Sequence, residues 1–360
     1  MKITGFEIAQ LSIALKKPFI TALRRVDAVN DIIIKIHTNT EHVGYGEACA
    51  VTAITGVTNE DVIIDLEHTV FPLLLQEEID TKDIFQKLYA MDISSETKAC
   101  VDIALYDLLS KQYKLSLHKY LGAHHSCLQT DLTISVDEPS SMYKDTLKAL
   151  NKGFRVLKIK LDHDIDKNIQ RLEMINKVLA PSNELRLDPN QSLTLEGCLQ
   201  MLSSIKIDNI ECIEQPFVAD DLLSMKKLRD RELIPVLADE SIFDTKDGKK
   251  ILEDEVADML NIKLMKCGGI YEAISIANLA MKHSKNCMIG SMLEGPISML
   301  AAAHFGLSQE NVTMADLDSP LYLKKHPLLK PFHLKQDHIN LDNTPGLGID
   351  SIMDTLNLFN

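Results

Sequence analysis

Apolar positions along the chain follow two periods, and the period changes twice. Near the N-terminus the β-branched run Asp31–His37, read Asp-Ile-Ile-Ile-Lys-Ile-His, predicts an antiparallel strand. Gly44-Tyr45-Gly46-Glu47 after it predicts a turn or bulge. From Asn59 to about Leu121, apolar residues recur three and four apart, as at Val101, Ala104, Leu105, Leu108 and Leu109. That is the helical period. Strands followed by segregated helices predict an α+β unit.

From about Gln129 short apolar runs alternate with helical stretches. The predicted strands are 130–135, 156–160, 184–188, 210–214, 234–239, 259–263, 286–290 and 312–316. Helices are predicted between them, for example at 165–179, 195–204 and 271–283. Strand–helix alternation repeated at this pitch is what a (β/α) barrel requires. A doubly wound sheet is the rival, but no G-x-G-x-x-G follows the first strand. After Pro320 the alternation stops. The tail carries a strand-like Asp337–Leu341 and a turn at Pro345-Gly346-Leu347-Gly348, and is too short to fold alone. The division expected is therefore 1–124, an α+β capping domain; 125–324, the barrel; and 325–360, a segment returning to the cap.

Charge narrows the function classes. The 360 residues carry 38 Lys and Arg against 52 Asp and Glu, so the net charge is 38 − 52 = −14. An acidic chain lacks the basic footprint of a nucleic-acid binder and is not drawn to an anionic membrane surface. No run of 18 apolar residues suggests a membrane span, and the N-terminus does not read as a secretory signal. The seven Cys include no C-x-x-C pair, which suits reduced, mostly buried thiols in a cytoplasmic protein.

The candidate chemistry lies at the strand ends. Successive strands finish in Lys158-Ile159-Lys160, Asp188, Glu214, Asp239 and Lys263, and the last in Asp316. In a barrel these C-terminal ends form the active-site mouth. Asp188, Glu214 and Asp239 are 26 and 25 residues apart, one βα unit each. Three clustered carboxylates need a cation or protons. Hard oxygen donors suit Mg²⁺, with Mn²⁺ as a substitute. Each acid capping the helix after it is the alternative. Lys158 and Lys160, two apart, point to one face of a strand. Their proximity and burial predict a lysine tuned toward a pKa of ~7–8, suited to a general base. Lys263, four strands on, would approach the same point from the opposite side; Lys266, before Gly268-Gly269, competes for that role.

These segments, with Asp188-Pro189-Asn190, Glu214-Gln215-Pro216, Asp239-Glu240-Ser241 and Asn261-Ile262-Lys263, resemble the enolase superfamily, muconate-lactonizing-enzyme subgroup, over essentially the whole chain. The resemblance implies an α/β fold: a modified TIM barrel, (β/α)₇β, with an N-terminal α+β capping domain completed by the C-terminal tail. It implies Mg²⁺, one per subunit, on Asp188, Glu214 and Asp239. It implies Lys160 and Lys263 as acid/base catalysts and Lys158 as the group stabilising the bound carboxylate.

Reactions differ within the subgroup, so the substrate is read elsewhere. Asp316-Leu317-Asp318 offers two carboxylates that could hold an ammonium group. This resembles the Asp-x-Asp feature of dipeptide epimerases; a solvated loop is the alternative. Thr21-Ala22-Leu23-Arg24-Arg25 resembles the cap loop in which an arginine takes a glutamate side chain. Arg24 aligns best, with Arg25 beside it left open. Ile54-Thr55-Gly56 resembles the second cap loop. Thr55 and Ser135 are further implied substrate contacts. The expected function is Mg²⁺-dependent interconversion of L-Ala-L-Glu and L-Ala-D-Glu by two-base proton transfer, in murein peptide metabolism. The expected partners are a dipeptide substrate and a second copy of the chain. The alternatives are a lyase of the same fold (muconate cycloisomerase or o-succinylbenzoate synthase), an N-acylamino acid racemase, and a non-catalytic barrel.

Overall fold

The N-terminal strands pair because their apolar residues alternate toward a covering helix. In the computed structural model, which describes residues 1–20, 25–79, 82–324 and 327–349, β1 (Ile3–Ile20) runs antiparallel to β2 (Arg25–Thr38). β2 pairs in turn with β3 (Val43–Ala48). Gly44–Glu47 is thus strand, not the expected turn. The glycines serve the approach of the helix Ser95–Gln112: a Cβ on Gly46 would overlap the Cys100 carbonyl. Glycine in a strand signals either a break or a close neighbour, and here it is the neighbour. Ile32, Ile33, Ile34 and Ile36 are all fully buried, so β2 is covered on both faces.

The same helix ties this cap to the second layer. Its N-cap Ser94 accepts from Thr97 N. Its buried Asp102 accepts from Ile270 N at 2.5 Å and Tyr271 N at 3.3 Å, capping the helix Ile270–Lys282 of the barrel.

A two-residue strand β4 (Leu128–Gln129) precedes eight parallel strands. These are β5 (Leu132–Ile134), β6 (Val156–Lys160), β7 (Glu184–Asp188), β8 (Ile210–Glu214), β9 (Val236–Ala238), β10 (Met259–Ile262), β11 (Cys287–Gly290) and β12 (Val312–Asp316). Each pairs with its sequence neighbour, in order from β5 to β12. A bridge from Thr130 to Ala315, with Leu317 N donating to Thr130 Oγ1 at 2.9 Å, brings the two edges together. All eight strands fall where the apolar runs predict them, with ends trimmed by up to two residues.

Period-two alternation sets what faces the barrel interior. Cys212, Leu237, Met288 and Met314 form a buried apolar cluster across β8, β9, β11 and β12. Two residues further along those strands come Glu214, Asp239, Gly290 and Asp316. The interior is therefore an apolar floor under a charged rim. The tail strands β13 (Phe332–Lys335) and β14 (His338–Leu341) pair with each other, and β14 with β4. Beyond them Gly346 O accepts from Leu117 N and Leu347 N donates to buried Asp107, both beside the cap helices. Among the described residues no helix is long and apolar enough to cross a membrane.

Candidate active site

The charged rim opens into a cavity whose walls include Lys158, Lys160, Lys263, Asp316 and Asp318. Phe19 and Ile54 from the cap and Met292 and Leu293 after β11 make its apolar wall. Leu293 holds a φ of 65°, a left-handed conformation that costs a branched side chain energy and sits here at the cavity wall.

The three acids on β7, β8 and the end of β9 are fully buried, and each meets a lysine. Lys158 Nζ lies 2.9 Å from Asp188 Oδ2, 2.7 Å from Glu214 Oε2 and 2.7 Å from Asp316 Oδ2. Lys160 Nζ donates to Asp188 Oδ2 at 2.5 Å and to Asn190 Oδ1 at 3.0 Å. Lys263 Nζ donates to Asp239 Oδ2 at 2.7 Å. Lys266 is not among the residues that line the cavity: its Nζ donates to Asp239 Oδ1 at 2.6 Å and to the Asp239 carbonyl.

For Lys158, these contacts correct the expectation of a lysine tuned toward neutral pH. Burial pulls Lys158 and Lys263 toward neutrality, but Asp188, Asp316 and Glu214 around Lys158 and Asp239 beside Lys263 outweigh it. Both lysines titrate above their ordinary value rather than near neutral pH. Lys266 moves the other way, because burial outweighs the pull of Asp239. Burial lifts Glu214 to about 7, with Lys158 opposing. Burial likewise raises Asp239, but Lys263 and Lys266 hold it well below the usual carboxylate range.

A second acidic group lies beside these residues, and two of its members, Asp316 and Asp318, line the cavity. Ligand oxygens of Asp131, Asp316 and Asp318 lie within 4.8 Å of one another. Asp131 Oδ2 is held by Arg186 Nη1 at 2.8 Å. Asp318 Oδ2 accepts from Thr133 N at 2.7 Å, with Tyr322 Oη 3.1 Å away. Burial and the neighbouring Asp316 raise Asp318 to about 6, whereas Lys158 and Lys160 overcome burial and bring Asp316 down to about 2.

Over residues 3–122 the chain matches the mandelate racemase / muconate lactonizing enzyme N-terminal domain, and over 142–355 the enolase C-terminal domain-like family. The chain belongs to this family. The L-Ala-D/L-Glu epimerase of Clostridium acetobutylicum is 37% identical, over 98% of this chain and 99% of that protein. The substrate-liganded structure of the L-Ala-D/L-Glu epimerase from Bacillus subtilis superposes with a TM-score of 0.92 at 35% identity, covering 97% of this chain and 98% of that one. A dipeptide epimerase from Enterococcus faecalis V583, complexed with Mg and L-Leu-L-Tyr, superposes at 0.90 with 32% identity, covering 97% and 99%. Relatives so named are isomerases.

In this family member the remaining predicted contacts are placed as follows. Thr55 turns its hydroxyl to Glu96 and Val51 O, while Ile54 lines the cavity. Ser135 is half-buried just beyond β5 and is not among the lining residues, whereas Thr133 is. Arg24 falls outside the described residues. Arg25 is exposed and pairs with Asp27 at 3.3 Å. Sequence reasoning missed Asp131 and Arg186, although a charge inside an apolar barrel strand was a visible signal. It also missed Asn190 and Glu240, which line the cavity.

Proposed function

We propose that the protein is a Mg²⁺-dependent dipeptide epimerase interconverting L-Ala-L-Glu and L-Ala-D-Glu. The observation that carries this reading is the convergence of Lys160, Lys263, Asp316 and Asp318 on one cavity. Relatives named as epimerases support it, as does the relative bound to Mg and a dipeptide.

The second residue's α-carbon lies between the two lysines. The neutral amine of one takes the α-proton; the C–H electron pair passes into the carboxylate and forms an enolate. The ammonium of the other returns a proton to the opposite face, re-forming the C–H bond with inverted configuration. The roles reverse in the other direction. Lys158 stabilises the charge that develops on the carboxylate oxygens. Asp316 and Asp318 hold the alanine ammonium by charge-assisted hydrogen bonds. Arg24, or Arg25 beside it, takes the glutamate side chain, with Ile54 and Thr133, the neighbours of Thr55 and Ser135 that line the cavity, beside the substrate.

Asp188, Glu214 and Asp239 would hold the metal, Mg²⁺ or Mn²⁺. The residues fit: three fully buried hard oxygen donors sit on adjacent strand ends, and a cation, Lys158 Nζ, already stands among them at 2.9 Å from Asp188 and 2.7 Å from Glu214. When bound, the ion supplies Lewis-acid stabilisation of the developing charge, on the order of several kcal/mol. We assign the group Asp131, Asp316 and Asp318 to the ammonium instead, because Arg186 and Thr133 N already occupy Asp131 and Asp318.

The enzyme is further taken to be a cytoplasmic homo-oligomer. The seven cysteines form no disulfide among the described residues, which is compatible with a reducing compartment, and light scattering reads the assembly.

The test is α-proton exchange in D₂O with Mg²⁺ across L-Ala-L-Xaa dipeptides. Exchange strongest with L-Ala-L-Glu is expected. Exchange favouring apolar or cationic residues overturns the glutamate assignment. Exchange of N-acylamino acids alone, or turnover of muconate or the o-succinylbenzoate precursor alone, overturns the dipeptide reading, since those compounds offer Asp316 and Asp318 no ammonium.

A further inference from the structure

Four lysines gather at one cavity in a chain of net charge −14. The cavity, of about 310 Å³, lies between the cap and the barrel, behind the wall formed by Thr133 and Tyr322. Lys16 and Lys17 come from β1, Lys148 and Lys152 from the helix Pro139–Asn151 and its C-terminal end.

The backbone is arranged to bring them together. Adjacent residues on a regular strand point to opposite faces, yet Lys16 and Lys17 both line this cavity. The cause is a register break: Ala14 pairs with Ala28 and Phe19 with Val26, so Leu15–Pro18 bulge out of the ladder. Leu15 bridges Leu323 of the barrel instead. A bulge that redirects side chains commonly serves a site. On the helix, Asp145, Lys148, Ala149 and Lys152 recur at three, four and seven, which is one face.

The charge does not balance within the cavity. One carboxylate, Asp145, serves two of the lysines, at 2.9 Å from Lys17 and 2.8 Å from Lys148. Among the described residues Lys16 donates only to the neutral Leu321 carbonyl, at 2.9 Å. Lys152 has no side-chain partner among the described residues. Four ammonium groups and one carboxylate give 4 − 1 = +3. A concave cluster of one sign focuses the field on its counter-ion. The floor is apolar: Leu132, Ile134, Ala149 and Leu321.

We propose that this cavity binds a small organic dianion, with the charged end among the four lysines and an apolar body on the floor. The ligand bridges the cap strand and the barrel helix. It touches none of Lys160, Lys263, Asp316 and Asp318, so the inference stands apart from the epimerase reading.

The probe is phenyl phosphate at about pH 8, where it carries two charges. It is titrated calorimetrically into the Mg²⁺-loaded protein at low salt, beside inorganic phosphate. The expected result is one saturable site per chain that prefers phenyl phosphate. Affinity should fall by about tenfold or more in K16Q/K152Q, which removes the two lysines lacking a carboxylate. Asp145→Asn, which removes the opposing charge, should tighten binding by about threefold. The substituted lysines are exposed, and circular dichroism checks the fold. No saturable binding, equal affinity for inorganic phosphate, or binding unchanged in both variants overturns the proposal. The last result would place the probe among the lysines of the catalytic cavity.

Discussion

Lys266 grips Asp239 at both ends, its Nζ 2.6 Å from Oδ1 and also hydrogen-bonded to the Asp239 carbonyl. One lysine, itself buried, therefore fixes the backbone and the side chain of a proposed metal ligand. Groups that orient a ligand in this way are worth roughly 10- to 100-fold in metal affinity. Lys266→Met is expected to weaken Mn²⁺ binding by about that factor, read by electron paramagnetic resonance. Lys266→Arg should recover part of it. If Lys266→Met binds Mn²⁺ as the parent does, Lys266 does not position Asp239.

Tyr322 is expected to act on substrate affinity through Asp318. Its hydroxyl lies 2.7 Å from the Thr133 carbonyl and 3.1 Å from Asp318 Oδ2. Tyr322→Phe removes a neighbour of a carboxylate that we assign to the substrate ammonium. One hydrogen bond to a charged group is worth about 1.5–3 kcal/mol at most, so KM should rise by about 10-fold, with kcat little changed. A fall in kcat at unchanged KM would contradict this placement.

Gly46 tests the cap–helix contact. A Cβ there would overlap the Cys100 carbonyl, which is backbone and cannot rotate away. Gly46→Ala should cost about 3 kcal/mol or more in urea unfolding. A cost under about 1 kcal/mol would show that the helix Ser95–Gln112 can shift.

The pair His118 and His304 predicts a loss of stability in mild acid. The rings stack at 5.0 Å, and His304 Nδ1 lies 3.0 Å from the backbone N–H of His118, which donates to it. Burial holds His304 well below its ordinary value near 6.5, with His118 adding to the effect. The unfolded chain takes up a proton as pH falls through about 6.5, whereas the folded chain does not. Stability is therefore full above that pH and declines below it. Urea unfolding between pH 7.5 and 5.5 should show this decline, reduced in His304→Asn. An equal decline in the variant would assign it to other groups.

Much of this was legible in the sequence because barrel strands are short apolar runs that end in charge. All eight strands, and the strand-end residues Lys160, Asp188, Glu214 and Lys263, follow from that alternation. Gly44–Glu47 misled because glycine marks a break from sequence alone, whereas its cause here is the helix packed on it. The titration of Lys158 was not legible either. Its repulsion from Lys160 is local and visible; the carboxylates that outweigh it come from other strands. Asp131 and Arg186 were within reach: Arg186 stands two residues before Asp188 and so shares its inward face.

The most direct measurement follows deuterium at the α-carbon of each epimer separately, in Lys160→Ala and Lys263→Ala. Each variant should lose epimerisation by about 10²- to 10⁴-fold. Each should still exchange the α-proton of one epimer, and the two variants should exchange opposite ones. If either variant still epimerises, or both exchange the same epimer, the two lysines do not serve opposite faces of the substrate.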